Sequence, residues 1–348
     1  MEPQKVIMSR CLAQSLSDAI AAQPHDRLFV LCDETTRELC LPLVAGLECM
    51  QQAQCITIGA TDTNKTLTSL AHVWSELQRL GATRHSLMVN LGGGMVTDLG
   101  GFAASTFKRG IPYINIPTTL LSMVDASVGG KTGINFGGLK NEVGVFNNAA
   151  VVILDTTFLQ TLDHENILSG YAEMLKHGLI SSEAMWARLI GEPLTVNSPQ
   201  FAAALEQSVA VKQRIVTEDP TEQGIRKALN LGHTAGHAFE SLALERHPVL
   251  HGYAVAYGLI VELYLSCVKT GFPQDKMRQT VNFIKEHYGR MAITCDDYPQ
   301  LVMLMHHDKK NVGDSINFTL LGGIGDIRIN QTATEDDIKE ALDFYREF

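Results

Sequence analysis

Residues Leu87–Gly101 read LMVNLGGGMVTDLGG, a short apolar run that ends in glycines and passes into a helix-compatible segment. Similar β-rich runs recur on either side: LFVLC at 28–32, CITIG at 55–59, YINIP at 113–117 and VVILD at 151–155. Each is short and continuously apolar, which suits a strand buried on both faces. Helix-compatible stretches such as Thr66–Leu80 and Leu99–Thr106 separate them. The alternation predicts an α/β domain with a mostly parallel, Rossmann-like sheet. The glycines after Leu91 suit a backbone approaching a pyrophosphate at a helix N-terminus, and equally a tight structural turn. The spacing is not GxGxxG, so both readings stand. Asp98 could cap the helix or hydrogen-bond a ribose.

From about residue 159 the pattern turns helical, with candidates at 165–181, 201–217, 226–245, 252–270, 276–288 and 297–308. One hairpin interrupts, INFTLLGGIGDIRI at 316–329, and Thr334 with Asp337 resembles a capping box opening a last helix. The expected division is 1–160 and 161–348, and a chain of 348 residues has room for two cores. A net charge of −10 disfavours nucleic acid or an anionic membrane as partner. The first residues lack the apolar centre of a signal peptide. The apolar stretch Tyr253–Val268 is interrupted by Glu262 and is too short to span a bilayer. Seven cysteines without a CxxC pair point to a reduced, cytoplasmic interior, each reading as a small buried hydrophobe.

The chemistry-bearing residues cluster. LNLGHTAGHAFE (229–240) spaces His233 and His237 one helical turn apart, on one face. Glu173 stands upstream in GYAEMLKHG and His251 downstream in LHGYAVAYG. Two imidazoles and a carboxylate are a common ligand set for catalytic zinc with an open position, although HxxxH alone is frequent. Arg226 and Asn230 precede His233 at helical spacing. That row is too polar for a core stripe and too selective for a solvated face. Glu173 and Lys176 also share a helix face, as a surface ion pair would. In VDASVGGKTGINFGGLKNEVG (124–144), Lys131 and Lys140 follow glycine-rich turns, with Asp125 and Asn141 nearby. GGKT lacks the first glycine of a P-loop, so that reading fails on spacing. Arg109, Lys131, Lys140, Lys176, Lys212, Arg226, Lys309 and Lys310 sit at the unusual motifs of an acidic chain. They suit a small, multiply anionic ligand.

Taken in order, GGGMVTDLGGF, KRGIPYINIPTTLLSMVDASVGGKTGIN, LKNEVGVF, GYAEMLKHG, RKALNLGHTAGHAFE, LHGYAVAYG and DKK resemble the 3-dehydroquinate synthases of the sugar phosphate cyclase family. The resemblance runs from about 28 to 330. It implies a dehydroquinate synthase-like fold, an NAD-binding α/β domain followed by a helical domain that holds metal and substrate. It implies NAD+ and Zn2+, with Co2+ as an alternative, and a small anionic sugar-acid phosphate in the shikimate pathway. Zinc would be held by Glu173, His233 and His251, leaving His237 to move protons, with Glu222, Lys131 and Asn141 also catalytic. Arg109, Asp125, Lys131, Lys140, Asn141, Lys176, Lys212, Arg226, Asn230 and Lys309 or Lys310 would hold substrate. Arg109 matches an arginine that reaches a neighbouring subunit, which implies a homodimer. For NAD the matching positions are Asp33, Asp62, Lys65, Gly93, Gly94, Met95, Asp98, Thr118, Thr119, Lys140, Phe158, Leu159, Gln160 and Thr161. The chain departs from the family at Asp62, Thr97 and Ser169, all expected on the cofactor side. The rival readings are another sugar phosphate cyclase, a metal-dependent NAD polyol dehydrogenase, or a catalytically dead metabolite-binding regulator.

Overall fold

A computed structural model describes residues 4–306 and 316–348. The chain divides into two compact units, Met1–Asp163 with Val196–Ala202, and His164–Thr195 with Ala203–Phe348.

The first unit is built on six parallel strands: β1 (Val6–Met8), β2 (Leu28–Asp33), β3 (Gln54–Ile58), β4 (Leu87–Gly92), β5 (Tyr113–Pro117) and β8 (Val151–Leu154), in the order β1-β8-β5-β4-β2-β3. The apolar runs become these strands because β2, β4, β5 and β8 are buried at every position. Helices α1 (Leu12–Ala21), α2 (Glu34–Leu39), α3 (Pro42–Ala45), α4 (Leu67–Arg79) and α5 (Gly94–Thr106) lie among the strands along the chain. After β2 the chain moves to β3 on one side, and after β4 to β5 on the other. The carboxyl ends of β2 and β4 therefore flank the crevice at which doubly wound sheets take ligands. The glycine run is not a separate loop. Gly93 is the N-cap and α5 begins at Gly94. Asp98 thus lies inside the helix and does not cap it. Residues 131–146, read as glycine-rich loops, form an antiparallel hairpin, β6 (Lys131–Phe136) and β7 (Leu139–Phe146). Gly137 and Gly138 turn it with φ of 60° and 82°, the left-handed pair that two-residue hairpins favour.

Beyond Asp163 the elements are mainly helical: α6 (His164–Leu179), α7 (Glu183–Gly191), α8 (Pro199–Glu218), α9 (His233–Leu244), α10 (His251–Thr270), α11 (Gln274–Tyr288), α12 (Tyr298–His306) and α13 (Glu335–Glu347). The hairpin β9 (Asn317–Gly323) and β10 (Asp326–Thr332) precedes α13, whose Thr334–Asp337 capping box forms as expected. The continuous helix expected over 226–245 does not form. Residues Ile225–Asn230 make a 3-10 turn, and Gly232 at φ 78° breaks the chain before α9. Helix α10 has the length and apolarity of a membrane span, but 72% of that window is buried, which fits a core helix. The cysteines are free, and the expectation of uniform burial fails at Cys11, Cys55 and Cys295, which are exposed.

Candidate active site

Helix α6 is buried on every face from Ile167 to Leu179, so Glu173 and Lys176 are interior and not a surface pair. Glu173 Oε1 lies 3.3 Å from His233 Nε2 and 3.8 Å from His251 Nε2. Lys176 forms an ion pair with the other carboxylate oxygen and donates to the Leu229 carbonyl at 2.8 Å. Neither Glu173 oxygen accepts a hydrogen bond of normal geometry among the described residues. His233 Nδ1 faces the Leu231 carbonyl at 3.1 Å, and His251 Nδ1 faces Glu240 Oε2 at 3.3 Å. Both partners are acceptors, so each neutral ring carries its proton on Nδ1 and turns the Nε2 lone pair toward Glu173. Two lone pairs and a buried carboxylate converging on one point repel one another. A divalent cation there relieves the conflict.

The electrostatics agree with that donor set. Burial, then the Lys176 charge, push His233 down to about 4, so it is neutral at physiological pH. Burial pushes Glu173 up, but the Lys176 charge beside it works the other way, and the carboxyl stays well below its ordinary range. A neutral imidazole and an ionised carboxylate are the forms that bind metal. His237, one turn beyond His233, meets that ring edge-on with centroids 5.4 Å apart and lies 5.9 Å from His251. His237, Glu240 and His251 also form a group of potential ligands. Because Glu240 engages the Nδ1 side of His251, the group with both Nε2 atoms facing Glu173 fits a metal better.

The broken helix separates Arg226 and Asn230 from the imidazole face, which corrects the expectation of one continuous row. Arg226 is buried, its Nη1 donating to the Pro220 carbonyl at 2.5 Å. Asp219 holds that turn through the amides of Gln223, Gly224 and Arg226. Asn230 donates to Glu222 Oε1 at 3.0 Å, and Glu222 has a left-handed φ of 62°. Lys212 is buried on α8. Lys309 and Lys310 lie outside the described residues.

In the first unit, four groups of the NAD-matching residues lie at carboxyl ends of parallel strands. Asp33 ends β2, where it also caps α2 through the Thr36 amide at 2.7 Å. Gly93, Gly94 and Met95 follow β4; Thr118 and Thr119 follow β5; Phe158, Leu159, Gln160 and Thr161 sit on the turn after β8. Asp62, Lys65 and Asp98 join the substrate-matching residues of the hairpin. The buried Lys65 pairs with Asp98 and meets Asn141 Oδ1 at 2.5 Å. Lys140 Nζ lies 3.8 Å from Asp62, and Asn135 links Asp62 to the Asn141 amide. Lys131 opens β6, Asp125 sits in the π-helical turn Ser122–Ala126, and Arg109 is exposed after α5 with a φ of 70°.

Profiles for the 3-dehydroquinate synthase N-terminal and C-terminal domains match residues 55–169 and 170–311. A 3-dehydroquinate synthase of Parabacteroides distasonis is 56% identical over 349 residues, spanning 100% of this chain and 99% of the relative. This chain belongs to the 3-dehydroquinate synthase family. Among solved structures, a 2-epi-5-epi-valiolone synthase from Streptomyces hygroscopicus with NAD+ and Zn2+ bound matches at TM-score 0.88 and 25% identity, over 99% of this chain and 97% of that one. A 2-deoxy-scyllo-inosose synthase complexed with carbaglucose-6-phosphate, NAD+ and Co2+ shares the fold, with TM-score 0.83 and 22% identity over 98% and 96%. In this 3-dehydroquinate synthase family member, sequence reasoning overlooked Asn135, Glu240 and Glu262. For Glu240 and Glu262 helical periodicity gave a signal, since Glu240 falls two turns after His233 and Glu262 three turns after His251. Of the three departures, Ser169 accepts from the Gly252 amide at 3.1 Å and so lies beside His251; Thr97 donates back to Gly94, and Asp62 binds Asn135.

Proposed function

We propose that this chain converts 3-deoxy-D-arabino-heptulosonate 7-phosphate into 3-dehydroquinate and phosphate, as a cytoplasmic carbon–oxygen lyase using NAD+ and a divalent metal, zinc or cobalt. The observation that carries the metal assignment is the convergence of Glu173 Oε1, His233 Nε2 and His251 Nε2, with both Nδ1 atoms turned to acceptors. NAD+ held at the strand ends of the first domain would supply reversible hydride chemistry, and a metal held by Glu173, His233 and His251 would supply Lewis acidity toward a substrate oxygen. The 1–160 domain would hold NAD along the strand ends from Asp33 to Thr161, and the 161–348 domain the metal.

His237 is close to both proposed imidazole ligands without being needed as one, so it is the group proposed to move protons. Glu222 and Asn230, already paired, would orient substrate hydroxyls and support proton transfer. Lysines and arginines pin a leaving phosphate without attacking it, which accounts for a cationic set that includes Lys131, Lys140, Lys212 and Arg226. Arg109 is proposed to serve a second copy of the chain. The exposed apolar residues of the hairpin, Phe136, Leu139, Val143, Val145 and Phe146, support self-association.

The test is phosphate release from the heptulosonate phosphate with NAD+ and zinc. One phosphate per turnover is expected, with no net NADH, and with activity lost on chelation or in His233→Ala. Steady NADH accumulation would overturn the reading in favour of a dehydrogenase.

A further inference from the structure

Helices α9 and α10 each carry one metal-facing imidazole and one buried carboxylate that the proposed chemistry does not use. On α9, Glu240 lies two turns after His233. On α10, Glu262 lies three turns after His251, so each pair shares a face. The carboxylates cross over. Glu240 of α9 takes Nδ1 of His251 on α10 at 3.3 Å. Glu262 of α10, at 0% exposure, accepts the Gly232 amide at 2.6 Å and the Ala235 amide at 3.1 Å. Those amides flank His233 at the start of α9, which has no side-chain cap of its own. A buried anion there satisfies helix-terminal donors and meets the positive end of the helix dipole.

The two helices are held close enough for this exchange. A Cβ on Gly258 would stand 2.0 Å from the Gly232 carbonyl oxygen and 2.5 Å from the Gly236 nitrogen. Only glycine lets the backbones meet there. Swinging α9 away from α10 would break the Glu240 contact and the Glu262 contact together.

We propose that Glu240 and Glu262 are positioning residues that form a reciprocal brace, each fixing the imidazole carried by the opposite helix for metal binding. Glu240 sets the tautomer and ring plane of His251. Glu262 sets the backbone from which His233 projects. The brace rests on the reading of Glu173, His233 and His251 as metal ligands, so the experiment carries a control for that reading.

The full-length protein, stripped of metal, is titrated with zinc against a chromophoric chelator, and metal-free melting is recorded alongside. Glu240→Ala is expected to weaken zinc about 10–100-fold, the range typical of outer-shell partners. Glu240→Gln keeps an acceptor for Nδ1–H and is expected to recover most of that loss. Glu262→Gln leaves one of the two amides without its carboxylate oxygen and is expected to weaken zinc about tenfold and to change the visible spectrum of the cobalt form. In each variant the metal-loaded melting temperature falls more than the metal-free one. Zinc affinity of Glu240→Ala or Glu262→Gln within about threefold of wild type overturns the brace, as does a loss matched by equal metal-free destabilisation. Should Glu262→Gln not fold, Glu262→Asp is judged by the same criteria. His233→Ala is the control: if it binds zinc like wild type, the ligand assignment itself is wrong.

Discussion

Replacing Lys176 with methionine separates a buried ion pair from a substrate-binding lysine. Lys176 is 1% exposed and Glu173 0%, so neither charge is compensated by water. Among the described residues the Lys176 ammonium pairs with a carboxylate that accepts no hydrogen bond of normal geometry. Methionine fills similar volume, so packing is nearly conserved and the change is chiefly electrostatic. Removing one partner of a buried pair costs about 3–5 kcal/mol because the other charge is left uncompensated. For a unit of this size each kcal/mol moves the melting midpoint by about 2–4 °C, so metal-free Lys176→Met should melt about 6–20 °C below wild type. Zinc should then reverse the order of effects. A divalent cation beside Glu173 replaces the missing charge and no longer faces the repulsion of Lys176. The zinc-induced rise in melting temperature should therefore be larger in Lys176→Met than in wild type. Differential scanning calorimetry of stripped and zinc-loaded protein reads both quantities. A metal-free variant that melts with wild type, or a smaller zinc-induced rise, would refute the claim that Lys176 balances the charge of Glu173, the carboxylate proposed to bind metal.

Gly258→Ala should destabilise the second unit by about 3 kcal/mol, the upper end for overpacking, because the added methyl meets backbone that no rotamer change can move. Urea unfolding measures it, and an unchanged midpoint would mean the helices separate easily. Asp337→Asn addresses pH. Lys269, then the Thr334 amide, hold the Asp337 carboxyl at about 2, against 3.8 unperturbed. A depressed carboxyl stabilises the fold above its unfolded value, and that contribution disappears as pH falls through 2. Allowing for partial exposure of both side chains, the wild type should exceed Asp337→Asn by about 1 kcal/mol at pH 7 and by almost nothing near pH 2. A constant difference across that range would show that the charge does not matter.

Strands β2, β4, β5 and β8 were legible because they are buried at every position, so they carry apolar runs such as Leu28–Cys32 and Val151–Leu154, whereas the half-buried β1 went unread. The capping box at Thr334 was legible because it is local chemistry. The hairpin at 131–146 was not, since its exposed β7 lacks a buried face to impose alternation, and its lysines and asparagine read as loop. The break at Gly232 was hidden for a different reason. Apolar and polar residues keep a helical rhythm straight through 226–245, although the backbone runs as a 3-10 turn to Asn230, then through extended Leu231 and left-handed Gly232. The charge row at 226–233 therefore looked continuous although its two halves project from different elements. The Glu173–Lys176 spacing alone left a surface pair open beside the substrate-binding role, because a Glu–Lys pair has the same spacing in water and in a core. Burial on all faces of α6 is a tertiary fact.

The break at Gly232 and the interrupted charge row come from one structural choice. Starting α9 at His233, instead of letting a helix run in from Arg226, leaves the first amides of α9 without intrahelical partners. An N-terminus without a side-chain cap is costly in a core unless another element supplies the acceptor. Glu262 supplies it, from the helix that also carries His251. The break thus creates the need that ties α9 to α10, and the tie fixes the relative placement of His233 and His251. A continuous helix would satisfy its own amides and require no carboxylate from α10. The chain holds an anion inside an apolar helix, where Glu262 looked in the sequence like an interruption, because the two imidazoles must be placed by something stiffer than their own rotamers.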